Sequence, residues 1–557
     1  MNELPQTPPR LGDSWAGDRA LREALRWHVG EELFARAEPE LAEMGRIASA
    51  PETLALAARA EREPPVHVPF SAWGERVDEI RVSDAYVELG RLGVRAGVTA
   101  LPYENTPYGE RARIVWAGIT AMWGTSSGLY SCPVAMTDAA ARTLLTHGGV
   151  EDLEVVERLT TRDPERAWTS GQWMTEITGG SDVSRTSTVA RREPDGSWRL
   201  YGMKWFTSAT TSEMALTLAR PEGAPEGSRG LALFRIHRMN LDGTRNAIVV
   251  RRLKDKLGTR SLPTAELELE GAIAHPVGDP LEGGGVRKIA TMLNITRIHN
   301  AIGSVGSLAR GLAWARAYAL SRRVFGMPLH AAPAHRVTLA ELAVDHAAAL
   351  ALTLRCCELT GKVEHGTATE QEVAVLRGLT PVTKLATARW AVAGAAEAME
   401  AIGGIAYCED STIPALVRNT HVQPIWEGTT NVLSLDLLRA EARQGALSAV
   451  LAEIRSYAEG AAAPLAPALV AAADELERRL QDPHGGERAA RSLALSVANA
   501  YACARLGAQG AWAAGRGEPL TARVAERVAT RGLVLPPPPD DDDLAMDALE
   551  PNRESLG

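Results

Sequence analysis

Apolar residues recur at three- and four-residue spacing across Ala20–Leu41 and again across Thr137–Thr146, as in helices with one buried face. Pro- and Gly-rich joints separate these stretches, so residues 1–170 are expected to form an N-terminal helical domain. The texture then changes. Short runs at Trp198–Tyr201, Ala215–Ala219, Leu231–Ile236 and Ala265–Leu269 alternate apolar with polar positions, punctuated by Gly, Pro, Asp and Asn. That pattern predicts a small antiparallel β-domain over 171–285, closed by Glu282-Gly-Gly-Gly285. Helical periodicity returns at Val286 and continues to Ala442, with breaks expected near Pro328, Pro333 and Pro381, and predicts a helical bundle over 286–442. A helical extension follows over 443–535. Residues 536–557 begin with prolines followed by Asp540–Asp543, cannot bury a core, and are expected to be a disordered acidic tail. The predicted class is α+β, in the order helical domain, antiparallel β-domain, helical bundle, helical extension.

Bulk properties narrow the function. A chain of 557 residues is too long for one core. Its formal net charge of −9 gives no general pull toward nucleic acid or anionic membrane. No charge-free run of about 18 apolar residues occurs, which argues against a membrane span. Met1–Trp15 lacks the apolar core of a signal peptide. Cys132, Cys356, Cys357, Cys408 and Cys503 form no CxxC pair and are odd in number, which fits a reducing cytoplasm. No metal-ligand spacing is present.

Two short motifs carry the chemistry. The first is Met174-Thr175-Glu176-Ile177-Thr178-Gly179-Gly180-Ser181-Asp182-Val183. A strand ending in Thr175 and opening into two glycines offers backbone N–H groups and a hydroxyl where a phosphate or ring can approach closely. Lys204-Trp205-Phe206-Thr207-Ser208 adds a flat indole and a hydroxyl suited to an isoalloxazine. There is no GxGxxG after a first strand and no GxxxxGK[ST], so Rossmann and P-loop nucleotide sites are disfavoured. The second motif is Ile425-Trp426-Glu427-Gly428-Thr429-Thr430-Asn431-Val432, with one carboxylate beside a glycine. A glutamate at a helix start often only balances the helix dipole. Placed after the first motif, it points instead to a base poised over a flavin.

On these residues the chain resembles the acyl-CoA dehydrogenase family over roughly residues 75–440. The wording of Met174–Val183, Leu253-Lys254-Asp255-Lys256-Leu257-Gly258 and Ile425–Gly428, with the extra length at both ends, resembles its AidB branch. The resemblance implies FAD as cofactor and α,β-desaturation of an acyl-CoA or related thioester. Glu427 would be the general base and Arg297 would orient base and substrate. Met174, Thr175, Gly180, Ser181, Trp205, Thr207, Thr429 and Asn431 would contact the flavin. Arg322 and Phe325, in Arg322-Arg323-Val324-Phe325-Gly326, and Gly404, in Glu400-Ala401-Ile402-Gly403-Gly404, match segments that complete a neighbouring subunit's site. The resemblance therefore also implies a homotetramer, with an electron-transfer flavoprotein as acceptor.

Three positions depart from the family pattern. Pro333 and Glu400 stand where glutamine is usual, and Asn294 replaces the aspartate of an Asp-x-x-Arg segment that keeps Arg297. These changes leave flavin binding intact and bear on thioester grip. Two rival readings are a stress protein that binds nucleic acid through its C-terminal extension, and a flavin monooxygenase on the same scaffold. Charge decides against the first. From Ala440 onward there are 12 arginines, no lysine and 17 carboxylates, a local charge of −5. Duplex binding should therefore be no tighter than about 10⁻⁴ to 10⁻⁶ M at physiological salt and should weaken steeply as salt rises. Sub-micromolar affinity at about 0.15 M salt in a fluorescence-anisotropy titration would reverse that reading.

Overall fold

The computed structural model describes residues 7–462, 464–482, 486–538 and 548, so the aspartates of the expected acidic tail lie outside the described residues. The chain divides into two compact units, the first Met1–Thr369 with Thr387–Thr429, the second Glu370–Ala386 with Thr430–Gly557.

The first unit opens with helices α1 (Arg19–Val29), α2 (Glu31–Ser49) and α3 (Pro51–Arg62). The carboxylate of Asp18 caps α1 by accepting from the Leu21 N–H at 2.9 Å. A hairpin of β1 (Val66–Phe70) and β2 (Arg76–Arg81) then interrupts the stretch expected to be mostly helical. Its five- and six-residue strands bury only Asp78 and show no clean apolar alternation, so they do not stand out beside the long helices. Helices α4 (Asp84–Arg95), α5 (Ala112–Gly124), α6 (Ser131–His147) and α7 (Leu153–Leu159) complete the N-terminal part.

The β-domain contains β3 (Ser170–Gln172), β4 (Val189–Arg192), β5 (Trp198–Ser208), β6 (Met214–Pro221), β7 (Ala232–His237), β8 (Ile248–Leu253) and β9 (Thr264–Pro276). Strands β6, β4, β5, β9 and β7 form a closed path, because β6 and β7 also pair; β3 adds to β6, and β8 to β9. Most pairings are antiparallel, as expected. The exceptions are β3 with β6 and β4 with β6, which are parallel over three and two residue pairs. So short a parallel contact has no periodicity of its own in the sequence. Strand β6 is buried on both faces. Ala215 and Ala219 join Trp173, Phe234 and Leu267 in one cluster, whereas Leu216 and Leu218 join residues of α6, α7 and the next helix in another.

That helix, α8 (Gly285–Ser321), is followed by a tight hairpin of β10 (Arg323–Val324) and β11 (Met327–Pro328), then α9 (Pro333–Glu364), α10 (Glu370–Ile402) and α11 (Ile413–Thr420). The breaks expected near Pro328 and Pro333 fall between α8 and α9, where Pro333 takes the first-turn position it suits. Pro381 does not break α10. Leu379, Val382 and Leu385 around it are buried, and that packing outweighs one lost backbone hydrogen bond. Helix α9 is long and apolar enough to cross a membrane by length and composition, yet 61% of its apolar window is buried inside the protein. The second unit joins the first half of α10 to α12 (Thr430–Gln444), α13 (Ala446–Glu459), α14 (Ala466–Gln481), α15 (Gly486–Ala514) and α16 (Leu520–Thr530). By this division α12 falls in the second unit. Gly445, in the left-handed region at φ +60°, makes only a tight turn between α12 and α13.

One buried ion pair ties the β-domain to the segment that follows β3. Lys204 of β5 is fully buried, and its Nζ donates to Glu176 Oε1 at 2.8 Å and to Leu218 O at 2.9 Å. Glu176 also accepts from Ser187 and Thr188, each through both backbone N–H and hydroxyl. Burial opposes ionisation of Glu176, but Lys204 and these donors outweigh it and hold the carboxyl down at about 2; burial pulls Lys204 downward against the carboxylate's pull. Because Glu176 is more acidic folded than its ordinary 4.5, its contribution is complete above that pH and is lost as pH falls toward 2. Replacing one partner should cost about 3 to 5 kcal/mol in Glu176→Gln or Lys204→Met. The acid limb of wild-type stability should flatten in Glu176→Gln. Urea unfolding from pH 7 to 2.5 measures both, and an unchanged acid limb in the variant would refute the assignment.

Candidate functional site

The first motif starts inside the protein and ends on its surface. After β3, Met174 is buried at 7% exposure, Thr175 is half-buried, and residues 177–182 are exposed. The Thr175 carbonyl accepts from the Trp205 N–H at 2.9 Å, which brings the first motif against β5. The Gly179 N–H bonds back to Glu176 O, closing a turn with Gly179 at φ +123°, a conformation that L side chains rarely adopt. At Gly180 a Cβ would lie 2.5 Å from Thr175 Oγ1, so only glycine leaves that hydroxyl its place. Ser181 is exposed, and Asp182 turns the chain by accepting from the Ser184 N–H and Oγ.

Strand β5 shifts register against β9 between Lys204 and Thr207, so Trp205 and Phe206 sit in a β-bulge. Such a bulge re-aims side chains out of strict alternation. Lys204 and Thr207 are buried, Trp205 is half-buried and Phe206 is 53% exposed. The Thr207 hydroxyl donates to Ala265 O at 2.7 Å, so its proton is committed within the sheet. The hydroxyl oxygen keeps an acceptor lone pair. One face of the Trp205 indole is also engaged. Lys254 Nζ lies 3.5 Å from the ring centroid and 2.6 Å from Glu266 Oε1, a cation–π contact invisible in the motif itself.

The second motif follows α11. Gln423 is buried; its carbonyl accepts from Asn300 Nδ2 at 3.2 Å and its side chain accepts from Trp426 Nε1 at 3.2 Å. Glu427 is half-buried and takes φ +58°, with Gly428 at φ +103° behind it. Thr296 Oγ1 of α8 donates to Glu427 Oε2 at 2.6 Å, and Arg297 Nε donates to the Glu427 carbonyl at 3.4 Å. Met174 belongs to the hydrophobic cluster against which Trp426 packs, together with Ile289, Met292 and Ile295 of α8. The two motifs, more than 240 residues apart, thus meet at one core cluster with α8 between them. Cys132 of α6 lies in the same neighbourhood. Burial pushes its thiol up to about 12; Lys256 opposes this and the Glu427 carboxylate adds to it. Lys256 itself is pulled down to about 8 by burial.

Sequence reasoning named Arg297 and passed over its neighbour Thr296. The available signal was the position of Thr296 beside Arg297 on a helix that returns to the second motif. Thr429 closes the first unit and Asn431 stands in the first turn of α12; both are exposed. Arg322 ends α8, Phe325 is fully exposed at φ +46° in the β10–β11 turn, and Gly404 is exposed after α10. These two segments are neighbours, because Tyr318 packs on the cluster formed by Ile402, Ala406 and Ile413. They are remote from Glu427. Twenty-six residues of α8 separate Thr296 from Arg322, about 39 Å of helix. Among the described residues no cluster of His, Cys, Asp and Glu could hold a metal ion.

The residues of the first motif fit a flavin dinucleotide. The Gly179–Gly180 turn is exposed and Cβ-free beside the Thr175 hydroxyl, and the bulge presents an aromatic pair next to it. Comparison with known proteins agrees. Residues 6–164 match the adaptive response protein AidB N-terminal domain, 171–272 the acyl-CoA dehydrogenase middle domain, and 283–442 the acyl-CoA dehydrogenase C-terminal domain. The chain is 44% identical to acyl-CoA dehydrogenase family member 11 of Caenorhabditis elegans over 78% of its own length and 71% of that protein. It is 34% identical to the putative acyl-CoA dehydrogenase AidB of Escherichia coli over 74% of its length and 76% of the relative. A crystal structure of Caenorhabditis elegans ACDH-11 in complex with C11-CoA superposes with a TM-score of 0.93 at 36% identity, covering 99% of this chain and 97% of the other. This chain therefore belongs to the acyl-CoA dehydrogenase family, as a member with an AidB-type N-terminal domain, and is an FAD-dependent oxidoreductase.

Proposed function

We propose that this protein desaturates the α,β-bond of an acyl-CoA, with Glu427 as the general base. The observation that carries the reading is the 2.6 Å bond from Thr296 to the Glu427 carboxylate, beside the cluster shared with Met174. Bound FAD supplies the acceptor for the β-hydride that leaves as the α-proton goes to Glu427 and the C=C bond forms. Thr296 serves both protonation states of the base. Its single proton bonds the ionised carboxylate; once Glu427 is protonated, that proton turns to Met292 O or Leu293 O, 3.2 and 3.1 Å away, and the hydroxyl accepts from the acid. Arg297 fixes the loop through the Glu427 carbonyl. Thr175, Gly180, Ser181, Trp205 and Thr207 hold the flavin, with Met174 as the floor beneath them; Thr429 completes the contact.

The substrate class is a medium- to long-chain acyl-CoA, a reading supported by the C11-CoA held in the ACDH-11 structure. An electron-transfer flavoprotein takes the electrons. The working form is a cytoplasmic homotetramer. Separation of Arg322, Phe325 and Gly404 from Glu427 by about 39 Å along α8 supports assembly, since these residues then serve a neighbour's FAD. The nucleic-acid reading is further disfavoured because arginines of the second unit are spent on carboxylates. Arg377 bonds Asp436 at 2.6 Å, Arg455 bonds Glu477 at 2.6 Å, and Arg479 bonds Glu475 at 2.7 Å.

The protein should purify yellow and release FAD on heating. Glu427→Gln should keep FAD and slow anaerobic flavin reduction by an acyl-CoA about 10²- to 10⁴-fold. Thr296→Val should slow it roughly 10- to 100-fold with KM little changed, and Thr296→Ser should restore it, as for one hydrogen bond to a charged group. Equal reduction rates in wild type and Glu427→Gln would remove Glu427 as the base. Failure of wild type to reduce with any chain length would remove the dehydrogenase reading. Separately, Arg322→Ala should lower both FAD retention and assembly state in light scattering; a monomeric wild type with full FAD would contradict the shared site.

A further inference from the structure

A cavity of about 60 Å³ lies well away from the base, between the segment leading into α1 and helices α5 and α8. Gly17, Leu21, Met122, Thr125, Val305 and Arg310 are among its walls. Arg310 is the unusual member. It is 7% exposed, and every hydrogen bond it makes among the described residues comes from Nη2: to Ala48 O at 3.2 Å, Thr125 Oγ1 at 2.8 Å and Ser126 Oγ at 2.9 Å. Nε and Nη1 have no acceptor among the described residues, and no carboxylate lies within ion-pair distance of the guanidinium. Burial pulls its pKa down to about 10, which still leaves it charged at neutral pH.

The other charged groups around the cavity are already engaged. Asp18 accepts from His346 Nε2 at 2.8 Å and from the Leu21 N–H. Asp13 Oδ1 takes the N–H groups of Trp15 and Ala16 at 2.7 and 3.0 Å. Arg316 donates to Gly17 O at 2.9 Å. A buried guanidinium cannot shed its proton, and a buried unpaired charge is costly unless something pairs with it. Three N–H bonds are therefore left on one wall of a cavity whose two carboxylates, Asp13 and Asp18, are held by other donors. The volume holds about four or five water-sized positions, enough for a halide or a small oxyanion and too small for a nucleotide or an acyl chain.

We propose that this cavity is a binding site for a small anion, held by Nε and Nη1 of Arg310. The anion neutralises a charge that joins the end of α2 to the α5 terminus and α8, and so fastens the N-terminal helices to the long helix that carries Thr296. The site lies fourteen residues, about 21 Å of helix, beyond Thr296, so it does not overlap the base.

The test uses the full-length FAD-loaded enzyme. Crystals soaked in bromide should show an anomalous peak within hydrogen-bond reach of Nε and Nη1 of Arg310. In solution at constant ionic strength, replacing bulky gluconate by chloride, phosphate or acetate should raise Tm saturably, and the anion that saturates at the lowest concentration identifies the class. Arg310→Met should lose the saturable response while flavin reduction by acyl-CoA persists. Absence of a bromide peak at Arg310 overturns the proposal. So does a peak without any saturable Tm response, which would be an ion seen at soaking concentration only, or an equal response in Arg310→Met. Should Arg310→Met fail to fold, the crystal and the wild-type titration decide on their own.

Discussion

Glu427 stands at φ +58°, where a non-glycine residue costs of order 1 to 3 kcal/mol unless its surroundings impose the conformation. Those surroundings are identifiable. Thr296 bonds the side chain, Arg297 bonds the carbonyl, and Gly428 takes the still less accessible φ +103° that lets the chain leave again. The strain is useful because it fixes a short carboxylate on a loop without the freedom of an ordinary turn. On the proposed reading, Glu427 must take a carbon-bound proton at a near-attack distance, and a loop free to relax would lose that geometry. Other features of the site follow from this constraint. Gln423 must be buried to seat Trp426, and Trp426 must meet the cluster that also holds Met174.

Helix α8 acts as the frame on which these demands are met. It carries Met292 and Ile295 into the core, Thr296 and Arg297 to Glu427, Arg310 to the N-terminal helices and Arg322 to its far end. A continuous helix of 37 residues sets distances that loops cannot adjust. Residues at its two ends cannot serve one ligand of dinucleotide length in the same protomer. On the proposed reading, Arg322 at the far end of α8 therefore serves a neighbouring copy's FAD, while Thr296 and Arg297 serve Glu427.

Much of this was legible in the sequence because it is periodic or dense in rare residues. The change from helical to alternating texture near 171 and back near 286 coincides with the start of β3 and of α8. Glycines 179 and 180 and Glu427-Gly428 stood out because few arrangements need them. What escaped was set by tertiary contact. The β1–β2 hairpin is stabilised by a neighbouring strand rather than by its own pattern: Arg76 reaches Val250 O at 2.9 Å and Asp78 accepts from the Val250 N–H at 3.2 Å. Thr296 is one of many threonines until α11 returns Glu427 to it. Lys254 over Trp205 depends on the bulge that re-aims β5, and a bulge leaves no one-letter signature.

The treatment of buried charge separates two kinds of residue in this chain. Lys204 is fully buried and meets Glu176; Arg113 is buried and meets Asp138 at 2.7 Å and Glu364 at 2.7 Å, with His299 also on Asp138. In both cases charge and hydrogen-bond demand close within the protein, so each is explained by the fold alone. Arg310, 7% exposed against 1% for Arg113, satisfies one of its nitrogens and meets no carboxylate within ion-pair distance among the described residues. The desolvation cost does not depend on whether a partner belongs to the chain. On the proposed reading, a buried cation to which the fold brings no carboxylate takes its counter-charge from solution.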